Sequence, residues 1–142
     1  MKFMNKSKAF IVDLPKILDK RGNLSFFEND NQIPFSIVRT YWIYDVPGGE
    51  LRGSHAFKQQ QEFIVALSGS FDITLHNGEE EQIYSMNRSY SGLYIPRMMW
   101  RKIDNFSTNS LALIVSDRNF DESDYVRDFE EFMQLIKVDE DV

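Results

Sequence analysis

Residues 53–69 read GSHAFKQQQEFIVALSG. His55, Glu62 and Gly69 stand at the spacing with which a hairpin of a β-barrel presents metal ligands. Side chains alternate along a strand, so a His-x-His pair would put two imidazoles on one face, near a carboxylate from the next strand. Here the second imidazole position is Phe57, which has no lone pair to donate. Further along, PRMMWRKI (96–103) carries Arg101 where a third histidine is expected after the tryptophan. A guanidinium stays protonated and repels a divalent cation. Two of four ligand positions are therefore replaced, one by a positive charge, and the expectation is a site without a metal or other cofactor.

On either side of this stretch lie short β-branched and aromatic runs separated by turn residues. AFIVDL (9–14) and LSFF (24–27) flank KRGN, and FSIVRTYWIY (35–44) ends at the breaker VPGGE. In SFDITLH, Phe71, Ile73 and Leu75 alternate with polar residues, the period of a half-buried strand. Asn77-Gly78 then favours a tight hairpin, with His76 expected exposed at its tip. EQIYSM, GLYIP, MWRKI and SLALIVS continue the series. Strands at this spacing, with no helix among them, predict an antiparallel barrel or jelly roll. The period changes in DESDYVRDFEEFMQLIK, where Tyr125, Phe129, Phe132, Met133 and Ile136 recur at three and four. Asp121 or Ser123 is placed to cap one amphipathic helix there, carrying no chemistry. The acidic VDEDV (138–142) reads as a solvated, frayed end.

The 142 residues suffice for one domain with its own core: an all-β barrel over 9–118 and a C-terminal amphipathic helix over 122–137. With no cysteine there is no disulfide framework or thiolate nucleophile, which fits a cytoplasmic protein. MKFMNKSKAF is too short and polar for a signal peptide, and no apolar run would span a bilayer. The net charge of −6, without a basic stripe, argues against a nucleic-acid partner. A few converging arginines can still hold a small anion.

Such a set exists. Arg39 and Tyr41 lie two apart on one strand, Arg52 just precedes His55, and Arg101 lies on a later strand. A neutral imidazole can take and return a proton near pH 7. Imidazole base and arginine clamps together suit proton shuffling beside a carbonyl on a phosphorylated or nucleotide-linked substrate. Plainer readings stand beside this one: His55 as a hydrogen-bonded core histidine, Glu62 as an arginine's partner, Tyr41 and Trp100 as barrel packing.

RGNL, IPFSIVRTYWIYD, RGSHAFK, LSGS, GLYIP-x3-W and DESDYVRDFEEF, in that order, resemble the dTDP-sugar 3,4-ketoisomerases from residue 9 to residue 137. The resemblance implies a cupin jelly roll and a metal-free site acting on dTDP-4-keto-6-deoxyglucose. It further implies a homodimer with exchanged strands and a product used for deoxyamino sugars of surface glycans. The resemblance places His55 in the active site and adds Arg21 to the residues already singled out, so that His55 and Tyr41 are the expected catalytic residues and Arg21, Arg39, Arg52, Glu62, Trp100 and Arg101 the expected substrate-binding ones. RGSHAFK departs from the family's RG-x-HAHK at Phe57, the position the resemblance would give the catalytic base. Arg21 matches the branch making galacto products and Arg101 the branch making gluco products. With one imidazole replaced, His55 alone or His55 with Tyr41 moves the protons, or the chain binds the sugar nucleotide without isomerising it.

Overall fold

The structure, a computed structural model, describes residues 8–140. The first seven residues, within the segment read as too polar for a leader, and the last two of the acidic end lie outside it. Twelve strands and one helix follow in order: β1 Phe10–Asp13, β2 Lys16–Ile17, β3 Leu24–Ser25, β4 Arg39–Tyr44, β5 Arg52–Phe57, β6 Glu62–Ser68, β7 Phe71–His76, β8 Glu81–Met86, β9 Ser91–Ile95, β10 Trp100–Asp104, β11 Leu111–Ser116, β12 Tyr125–Val126 and α1 Phe129–Glu140. The strands form two five-stranded antiparallel sheets, β1-β9-β6-β11-β4 and β12-β5-β10-β7-β8, and β2-β3 forms a separate hairpin. The class is all-β, as expected, but the two sheets face each other as an open sandwich rather than closing into a barrel.

The main core fills the space between the sheets, with Ile64, Ala66, Leu93, Ile95 and Ile114 of one facing Phe71, Ile73, Leu75 and Ile103 of the other. β6 reads as an almost unbroken apolar run because it is buried on both faces. Its Phe63 and Val65 point away from the main core into a second cluster, beneath Leu14, Ile33 and Phe35 of the chain preceding β4. Gly92 opposite Val65 makes room there: a Cβ on it would lie 2.1 Å from the Phe63 ring.

The helix packs Phe132 and Ile136 on the outer face of the second sheet, against Ala56, Met98 and Val126. It begins at Phe129, seven residues later than expected. Asp121 caps only a 3₁₀ turn over Glu122–Asp124. The chain then extends, and Tyr125 and Val126 pair with Phe57 and Ala56 before the helix starts. Buried Asp124 locks this arrangement: its carboxylate accepts from the backbone N–H groups of Gln59 and Gln60 at 2.8 and 3.1 Å. His76 is partly buried at the end of β7 rather than exposed at the tip, its ring 5.2 Å from that of Phe129.

Candidate active site

Alternation along β4 turns Arg39, Tyr41 and Ile43 inward and leaves Thr40, Trp42 and Tyr44 exposed. Arg39 and Glu62 both lie opposite Ser116 of β11, the strand between theirs, so the inner face of the first sheet carries a guanidinium, a phenol and a carboxylate. On the second sheet Arg101 lies directly opposite His55. The next pairing along is Ile103 with Arg52, two residues on in β10 but three in β5. This extra residue is a bulge at Gly53, whose φ of +74° suits glycine. It brings Arg52 back to the parity of His55, at the exposed end of β5.

The two sheets meet chemically at Glu62. Its carboxylate accepts from Arg101, from Tyr41 OH, and from Gln60 Nε2 at 2.9 Å. Glu62 and Arg101 are 1% and 2% exposed, so this ion pair is out of water. A buried pair needs its remaining polar atoms satisfied to offset desolvation, and Tyr41 and Gln60 do this for the carboxylate. Arg101 also donates to the Met99 carbonyl at 3.2 Å, and its guanidinium lies 4.9 Å over the Phe57 ring. Burial, then the Glu62 charge, push the Tyr41 phenol well above its ordinary range, so it stays protonated at neutral pH.

His55 sits in an aromatic corner, 4.8 Å from the Phe57 ring and 5.0 Å from that of Tyr125. Burial, followed by the charges of Arg101 and Arg127, lowers its pKa to about 3. The imidazole is therefore neutral at pH 7, and in the ligand-free protein burial and these charges disfavour its protonation. Among the described residues three buried nitrogens have no protein partner: His55 Nε2, Arg39 Nε and Arg101 Nε. Buried donors and acceptors are paired in the great majority of cases, and two of these three belong to residues that lie opposite each other across β5 and β10, His55 and Arg101. A cleft of about 440 Å³ lies apart from these nitrogens, at the end of β4 and the start of β5, where Trp42, Ile43, Tyr44, Asp45, Glu50 and Arg52 line it; of the candidate residues only Arg52 reaches it.

The structure thus brings together His55, Tyr41, Arg39, Glu62 and Arg101, with Arg52 at the rim. Trp100 is not among them. It points to the outer face of its sheet, 5.4 Å from Phe129 and 5.8 Å from Phe132 under the helix. Arg21 is also apart, on the exposed β2–β3 loop in a salt bridge with Asp19 at 2.9 Å. Two contributors escaped the sequence reading. Tyr125 fits the helix stripe by spacing, yet lies on β12 against His55. Gln60 carried no signal beyond its place two residues before Glu62. Among the described residues no group of three or more His, Asp or Glu is gathered as a metal would require. No helix among the described residues is long and apolar enough to cross a membrane.

Residues 7–137 match the family described as FdtA: WxcM-like, C-terminal. The chain is 34% identical over 126 residues to the TDP-4-oxo-6-deoxy-α-D-glucose-3,4-oxoisomerase of Aneurinibacillus thermoaerophilus, covering 89% of this chain and 91% of that one. The WlaRB TDP-quinovose 3,4-ketoisomerase of Campylobacter jejuni superposes with a TM-score of 0.87 at 36% identity, over 90% of this chain and 98% of its own. The QdtA sugar 3,4-ketoisomerase of Thermoanaerobacterium thermosaccharolyticum, solved in complex with TDP, gives 0.90 at 30% identity over 94% and 98%. With a continuous match over nearly its whole length, the chain belongs to the FdtA/WxcM-like family.

Proposed function

We propose that the protein is a nucleotide-sugar 3,4-ketoisomerase acting on dTDP-4-keto-6-deoxyglucose, a cytoplasmic step towards deoxyamino sugars of surface glycans. The observation that carries this reading is the unpartnered His55 Nε2 directly across the sheet from Arg101, whose own Nε is also unpartnered. Moving the carbonyl from C4 to C3 breaks the C3–H bond and forms a C4–H bond. The hydroxyl proton leaves O3 and one arrives at O4, so no electron acceptor is needed. Neutral His55 takes the C3 proton to give an enediolate and returns it at C4. Arg101 and Arg39 stabilise the negative charge on the oxygens, while Tyr41 exchanges the hydroxyl proton, its place fixed by Glu62. Arg52 at the rim faces the diphosphate, which suits paired guanidinium–phosphate hydrogen bonds.

Anion binding also sets the base. The depressed imidazole pKa reflects burial first and then the charges of Arg101 and Arg127, and negative charge that the bound substrate brings near Arg101 favours the protonated form. His55 thus becomes more basic as substrate arrives. Relatives matching about nine-tenths of the chain are isomerases, which does not favour a binder without turnover.

The assembly we propose is a homodimer. β1 is paired within its own chain, which leaves the β2–β3 hairpin, with Ile17, Leu18 and Leu24 exposed, as the segment to be exchanged. Crystals soaked with dTDP test the ligand assignment. Nucleotide density beside His55 with its diphosphate near Arg52 is expected, and a pocket that takes up no dTDP would overturn it.

A further inference from the structure

Phe57 stands at the centre of the site and has no polar atom to contribute. It is completely buried, and three functional groups rest on its ring. The His55 imidazole meets it edge-on, with ring centroids 4.8 Å apart and planes at 76°. Tyr125, its partner across the β5–β12 pair, packs at 4.6 Å. The Arg101 guanidinium lies over the ring at 4.9 Å. Phe57 is also tied to the bend that leads into β10, the strand of Arg101, since its carbonyl accepts from Met98 N–H at 2.8 Å.

A cation over an aromatic face is drawn to the negative side of the ring quadrupole, most strongly where water is excluded. Arg101 is therefore held flat from one side by Phe57 and at its ends by Glu62 and the Met99 carbonyl. Its Nε–H is left without a partner. A second imidazole at position 57 would offer a ring nitrogen to that guanidinium and to His55, and each such bond would commit a group the ligand needs. Phenylalanine can make neither bond.

We propose that Phe57 is a positioning residue, whose ring seats the Arg101 guanidinium and the His55 imidazole while leaving Arg101 Nε and His55 Nε2 free for the sugar. The inference rests on the ketoisomerase reading for its catalytic meaning. Its geometric part stands independently. The departure from the family's histidine is then a rebuilt support for Arg101, not a missing base.

Two variants test it. Phe57→Met fills the volume without a quadrupole, and Phe57→His restores the imidazole. In nitrogen-15 spectra of the ligand-free wild type, the Arg101 Nε–H proton should be shifted upfield by the Phe57 ring current, and Phe57→Met should lose that shift. Turnover of dTDP-4-keto-6-deoxyglucose by Phe57→Met should fall about tenfold in kcat, with KM changed less than twofold. Phe57→His should gain no turnover. An unshifted Arg101 proton in the wild type, unchanged kcat in Phe57→Met, or a tenfold gain in Phe57→His would each overturn the proposal. A wild type that leaves the ketosugar untouched would overturn the ketoisomerase reading instead, and the Arg101 shift would still decide the seat. If Phe57→Met fails to fold, the wild-type shift and Phe57→His decide alone.

Discussion

Glu62 is the residue on which the two sheets depend for their chemical connection. Its charge neutralises Arg101 in a place where neither group meets water. Removing one member of such a pair strands the other, a loss of about 3–5 kcal/mol. Glu62→Gln keeps the shape but not the charge, so its Tm should fall on the order of 10 °C in a thermal melt. A change of less than 2 °C would mean that Arg101 is not held by this carboxylate. His55 makes a separate prediction. Its folded-state pKa is about 3, below the ordinary histidine value of about 6.5. Between these values the unfolded chain binds a proton that the folded chain refuses. This contribution is complete above pH 6.5 and is lost as pH falls towards 3, with a slope of up to about 1.4 kcal/mol per pH unit. Denaturant melts from pH 7 to 4 should show the wild type losing more stability than His55→Asn. Parallel losses would contradict the burial argument.

Elements succeed or fail here on parity. The alternation of β4 and β7 was legible, and it correctly turned Arg39 and Tyr41 inward. The same rule separates Trp100 from Arg101: neighbours on a strand face opposite ways, so both could not line one site. With Arg101 inside, Trp100 had to be the residue beneath the helix. Tyr125 misled for a different reason. It lies four residues before Phe129 and fits the helical stripe, whereas the helix starts only after Asp128, whose carbonyl accepts from Phe132 N–H at 3.0 Å. The Gly53 bulge had no clear signature either, because a lone glycine before a histidine also fits an ordinary turn. Gly92 offers a test at this scale. A methyl group would collide with the Phe63 ring, and overpacking of this sort costs about 1–3 kcal/mol. Gly92→Ala should lower the Tm measurably while leaving the Arg101–Glu62 pair in place. An unchanged Tm would show that the ring moves aside freely.

At the scale of the molecule, the site exists only because two sheets face each other. His55, Phe57 and Arg101 belong to one, Arg39, Tyr41 and Glu62 to the other, and sequence order says little about which groups meet across the gap. The motif order disclosed the family, and the metal-site frame disclosed where chemistry would be. The frame could not show that Arg101 turns its charge on Glu62, so that a cation is built from the chain itself, because that contact spans 39 residues and two layers. The most direct measurement is proton NMR of dTDP-4-keto-6-deoxyglucose incubated with the wild type and with His55→Asn. The wild type should convert the sugar to its 3-keto isomer, and His55→Asn should slow this about a hundredfold or more. A ketosugar unchanged by the wild type, or converted equally fast by His55→Asn, would contradict it.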